Sequence, residues 1–153
     1  MIAPLRKTLD AVKGLLRQGT SPVEIARAVA LAAVIGVFPI LGSTTLLCAG
    51  AAAALRLNLP LMQLVNWVIY PLQLALLIPL MSLGTRFFGT GPLPTLSELM
   101  KLVASEPMRA IQLFWPAGLS AVGAWLVLAP IAAIAIYAAV LFPLRRFVPE
   151  PAR

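Results

Sequence analysis

Ile35-Gly36-Val37-Phe38-Pro39-Ile40-Leu41-Gly42-Ser43-Thr44-Thr45 decides how the rest of this chain is read. It lies inside an uncharged run from Ala28 to Leu55, bounded by Arg27 and Arg56. Pro39 has no backbone N–H, and Gly36 and Gly42 loosen the chain on either side, so a helix entering this stretch must break. Unbroken, the run would make a helix about 42 Å long, against a bilayer core of about 30 Å. Broken at Pro39 to Gly42, it leaves two arms, each too short to cross comfortably. Two readings follow: a re-entrant hairpin that turns near Phe38 and returns to Arg56, or a single kinked span. The hairpin keeps Arg27 and Arg56 on one side, where basic residues belong.

Outward from the break, two more neutral runs appear, Leu57 to Thr85 and Ala110 to Leu144. Each exceeds the roughly 20 residues needed to span a membrane. The composition agrees: 61% hydrophobic and 11% charged residues, with mean hydropathy +0.96. Ordinary soluble domains are about a quarter charged. The expected fold is therefore an all-α integral membrane protein in one domain, 1–153. Its parts are an interfacial amphipathic helix (1–19), a re-entrant or broken helix pair (21–56), a transmembrane helix (59–84), short interfacial helices (95–115), a second transmembrane helix (118–144) and a basic tail (145–153). No cleavable signal peptide is visible, because the first apolar run starts late and is too long for a signal core.

The flanks carry local punctuation. Leu5, Leu9, Val12 and Leu16 follow helical spacing, with Arg6, Lys7, Asp10, Lys13 and Arg17 opposite. That pattern fits a helix on an anionic leaflet or one packed on the protein's own cytoplasmic side. Ser21-Pro22-Val23-Glu24 and Thr95-Leu96-Ser97-Glu98 are capping boxes, which account for Glu24 without catalysis. Leu99, Leu102 and Val103 follow on a short amphipathic helix. Phe87, Phe88 and Trp115 suit an interfacial belt. Gln63, Asn66, Tyr70 and Gln73 share one helix face in the second run, which Pro71 and Pro79 kink. Such a polar stripe is expected to point into the bundle, as glue between helices or as a ligand site.

The net charge of +7 clusters beside apolar runs, without interleaved aromatics. Anionic lipid headgroups on the cytoplasmic side are the expected partner, and nucleic acid is not. Arg145, Arg146 and Arg153 put the C-terminus in the cytoplasm with the N-terminus, in a bacterial inner membrane, which requires an even number of crossings. The chain has no histidine and a single cysteine, Cys48, and its neutral runs hold no ionisable acid or base. Proton-coupled transport, acid–base catalysis and metal chemistry lack candidates. An enzyme and a cofactor are therefore not expected.

The segment from Gly19 to about Gly89 resembles a bacterial membrane family, domain of unknown function two thousand and sixty-two. The resemblance is carried by Ser21-Pro22, Ile25-Ala26, Gly36, Pro39, Gly42, Leu55-Arg56-Leu57-Asn58, Pro71 and Leu83-Gly84; from Pro92 onward no likeness is recognised. Many members resemble one another in an Asn-Pro-x-Thr where this chain has Tyr70-Pro71-Leu72-Gln73, so both flanking polar groups differ here. Relatives beside or fused to glycosyltransferase-like domains imply an envelope or lipid-linked context.

Two functions are expected to compete. One is a scaffold or accessory subunit, homo-oligomeric or bound to an envelope enzyme through small-residue helix faces. The other is a carrier or facilitator for an anionic lipid or small solute, not coupled to protons. Its site would be the tip, with Gly36, Pro39, Gly42, Ser43, Thr44, Thr45, Asn66, Tyr70, Pro71 and Gln73 binding or gating. The second arm would offer its N-terminal N–H groups there, unless Ser43 or Thr44 caps its own helix.

Overall fold

A computed structural model describes residues 10, 14, 21–89 and 95–147. Most of the expected amphipathic helix before Ser21 and the tail past 147 lie outside the described residues. Among those residues the chain is all-helical: α1 (Pro22–Gly36), α2 (Thr44–Leu55), α3 (Leu59–Phe88), α4 (Leu96–Ser105) and α5 (Pro107–Phe147).

Side chains explain where three of these helices start. The Ser21 hydroxyl accepts from the Glu24 amide and the Glu24 carboxylate accepts from the Ser21 amide, both at 3.2 Å. Asn58 Oδ1 accepts from the Leu61 amide at 2.9 Å and opens α3. Thr95 and Glu98 repeat the reciprocal pair at the head of α4. Stops are equally local. α1 closes on short-range bonds from Val37 to the Val34 carbonyl and from Phe38 to the Ile35 carbonyl, because Pro39 disfavours helical backbone in the residue before it. α2 ends at Arg56, a non-glycine residue in the left-handed region (φ 53°), where Leu57 donates back to the Ala52 carbonyl.

The prolines of the long helices do not end them. α3 contains Pro71 and Pro79, and α5 contains Pro116, Pro130 and Pro143. Short helices ending at 115 and a separate span from 118 are expected; instead one helix of 41 residues runs through Pro116. Each interior proline removes one intrahelical bond, a loss that long helices held by neighbours tolerate.

At 1.5 Å per residue, α1 and α2 are roughly 22 and 18 Å long, short of a 30 Å core. Among the described residues, α3 and α5 are the two helices long and apolar enough to cross a membrane. Their outer faces carry Trp67, Ile78, Leu126, Val127, Ile131 and Ile134, all exposed. Only 6% of α5's most apolar stretch is buried in the protein, and soluble proteins rarely expose large apolar surfaces.

The main core joins Ile25, Ala28 and Ala32 of α1 to Cys48 and Ala52 of α2 and to Leu61, Met62 and Val65 of α3. The chain therefore turns back after α1, and the start of α1 and the end of α2 share one core. Leu144 near the end of α5 packs on that same core, whereas Ser120 lies against Gly84 near the end of α3. α5 thus returns along α3 in the opposite direction. α4 packs on α5.

Candidate functional site

Between α1 and α2 the backbone leaves helical pairing against two neighbouring helices. Residues 37–43 form this break, with Gly42 at φ +83° supplying a left-handed turn. Pro39 is buried and Ile40 and Leu41 are exposed. Carbonyls freed at such a break need donors, and two neighbouring helices provide them. From α3, Gln73 Nε2 donates to the Phe38 carbonyl at 2.7 Å. From α5, Trp125 Nε1 donates to the Val34 carbonyl at 3.0 Å. The Trp125 ring also meets Phe38 edge to face, with centroids 4.9 Å apart, a favoured aromatic geometry.

The expected site residues divide into three groups. Gly36 and Asn66 come together: a Cβ on Gly36 would lie 3.3 Å from Asn66 Oδ1 and 3.2 Å from Ile69 Cγ2, so α1 passes close to α3 there. Asn66 and Gln73 are buried, at 4% and 1% exposure. The rest of the expected stripe behaves differently. Gln63 donates to the Thr45 carbonyl at 2.9 Å. Tyr70 is 48% exposed and Pro71 is also exposed. The four positions fall within about 80° of arc on a helix of 3.6 residues per turn, and only the edge holding Asn66 and Gln73 is buried.

The hydroxyls do not assemble a pocket with the amides. Ser43 Oγ donates to the Ile40 carbonyl at 2.8 Å and makes no cap for α2. Thr44 is buried and Thr45 exposed, and among the described residues none of the three hydroxyls bonds Asn66 or Gln73. The cavity at the tip is instead an apolar groove of about 390 Å³. It is lined by Pro39, Ile40 and Leu41 with Leu77 and Met81 of α3 and Ile111, Phe114, Trp115, Gly118 and Leu119 of α5. Two amide oxygens, Gln63 Oε1 and Gln73 Oε1, are buried without a partner among the described residues.

Trp125 joins the break from outside the expected set of site residues. Its signal was present: an indole N–H in the middle of an apolar run needs an acceptor that hydrocarbon lacks. The described glutamates are all accounted for by local roles, Glu24 and Glu98 in capping boxes and Glu106 in an ion pair with Arg109 at 3.3 Å.

A family profile described as Uncharacterized protein conserved in bacteria (DUF2062) matches residues 5–151. The likeness therefore reaches well past the first half, where the recognised motifs lie. No match was found among curated proteins or solved structures.

Proposed function

We propose, for a chain that belongs to the bacterial DUF2062 family, a non-catalytic scaffold or accessory subunit of the inner membrane, serving an envelope or lipid-linked process. In this reading α1 and α2 enter and leave the membrane from the cytoplasmic side, α3 and α5 cross it, and both termini are cytoplasmic. Four basic residues, Arg27, Arg56, Arg145 and Arg146, then belong to the cytoplasmic end, in keeping with the usual bias.

One observation carries the scaffold role. Two carbonyls at the break are satisfied by neighbouring helices, that of Phe38 by Gln73 and that of Val34 by Trp125. A carrier would keep such groups for its passenger, as broken transporter helices do. Here the break is a rigid joint, and what it presents outward is apolar surface for a neighbouring helix. A carrier for an anionic lipid or small solute draws on a different observation: Ser43 does not cap α2, so the first amides of that helix lack a side-chain acceptor. The apolar lining of the groove beside the tip weighs against it.

Cysteine accessibility in intact cells separates these readings. With Cys48 replaced, single cysteines at Leu41, Leu57, Gly89 and Ala152 are labelled from each side. The proposal expects 57 and 152 to react only from the cytoplasm, 89 only from outside, and 41 from neither. Reaction of 57 from outside would replace the re-entrant pair with a kinked span. Aqueous reactivity at 41 would replace the scaffold with the carrier.

A further inference from the structure

A second groove lies away from the hairpin tip, between α1 and α5. Arg27, Ala30 and Leu31 face Ala133, Ile134 and Tyr137 across a cavity of about 330 Å³. We infer that it binds one anionic phospholipid, with the headgroup phosphate at Arg27 and Tyr137 and an acyl chain along the four apolar residues.

The polar half of the site follows from Arg27. Its only nearby carboxylate in sequence, Glu24, is spent on the Ser21 amide, and the single ion pair among the described residues is Glu106 with Arg109. Among the described residues Arg27 has no ion-pair partner, and it stands exposed beside an apolar groove, where it is free to meet an anionic headgroup. A guanidinium presents a planar fork that matches phosphate oxygens two at a time. The Tyr137 phenol, half-buried on the facing helix, adds a neutral donor.

The apolar half selects a lipid over a free anion. Ala30 is buried and Leu31 and Ala133 partly so, while Ile134 is 70% exposed, so the groove is open along one side as a chain entering from the bilayer requires. Tyr137 lies eight residues before Arg145, about 12 Å deeper along α5. A soluble phosphate would meet Arg145 and Arg146 first. The inference rests on the membrane placement of α1 and α5 proposed above, and not on the scaffold role. Its test uses no partner protein, so it can fail while the scaffold reading stands.

Native mass spectrometry of the full-length chain, released from micelles holding equal phosphatidylglycerol and phosphatidylcholine, reads the site directly. Wild type should retain phosphatidylglycerol about tenfold better, the scale of one charge-assisted hydrogen bond. Arg27→Gln should lose that preference, Tyr137→Phe should weaken it, and Arg145→Gln should keep it. Equal retention of both lipids by wild type, or an unchanged preference in Arg27→Gln, would overturn the site. Displacement of the lipid by millimolar inorganic phosphate would overturn the lipid as its ligand. Should Arg27→Gln fail to fold by circular dichroism, Ala133→Phe decides. It blocks the chain groove with the charge intact, and retention at the wild-type level would refute the inference.

Discussion

Gln73 Nε2 lies 2.7 Å from the carbonyl oxygen of Phe38, thirty-five residues earlier in the chain. This bond ties the break after α1 to the middle of α3, and it is the tip's main polar anchor to that helix. Replacing Gln73 with Leu leaves the Phe38 carbonyl in an apolar setting, a loss that ordinarily costs about 1–3 kcal/mol. The same change also removes Gln73 Oε1, which is buried without a partner. The net destabilisation should therefore fall at the low end, about 1 kcal/mol. Reversible unfolding in mixed micelles checks this, and an unchanged midpoint would mean that the bond does not hold the tip.

Trp125 separates two contributions that Gln73 cannot. Trp125→Phe keeps a ring near Phe38 but removes the donor to Val34. That carbonyl still has the Val37 amide at 3.3 Å, so the cost should be about 0.5–1.5 kcal/mol. Trp125→Ala removes the ring as well and should cost about 3–5 kcal/mol. If the two variants unfold together, the ring contact contributes nothing and the indole N–H carries the whole effect.

Much of this was legible in the sequence because it depends on neighbouring residues. The capping boxes at Ser21 and Thr95 and the break at Pro39 are written in short-range chemistry, and all three are present. What depended on distant partners was not legible. Whether Ser43 capped α2 turned on whether its hydroxyl found the Ile40 carbonyl first. Whether Tyr70 was buried depended on the width of the α1–α3 interface. Pro116 looked like a boundary because a proline ends an isolated helix, yet α5 has neighbours along its length. The partnership of Trp125 with Val34, ninety-one residues apart, carries no periodic signal at all.

The Glu98 carboxyl should titrate below the ordinary glutamate value of 4.5. The Thr95 amide and hydroxyl both donate to its charged form, which lowers the pKa of the folded state relative to the unfolded chain. Its contribution to α4 is therefore fully present above the unfolded value and disappears as pH falls through the lower, folded value. A carboxyl-carbon NMR titration in micelles should show the Glu98 midpoint moving upward in Thr95→Ala. Equal midpoints in the two proteins would mean that the capping box is not populated in solution.

Gly84 and Gly50 make a paired test of how α3 meets α5. A Cβ at Gly84 would collide with the backbone carbonyl of Ser120 and reach the Ala121 amide at 2.7 Å. Neither obstacle is the end of a flexible side chain, so one helix must shift bodily. Gly84→Ala should destabilise by about 1–3 kcal/mol, the range for overpacking a close contact. Gly50, inside α2, has nothing within 4 Å of its ideal Cβ. There the gain in helix propensity acts alone, and Gly50→Ala should be neutral or stabilise by up to about 1 kcal/mol. Opposite signs in the same unfolding assay would locate the tight crossing at Gly84. A harmless Gly84→Ala would mean that α3 and α5 pack less closely than the Gly84–Ser120 approach requires.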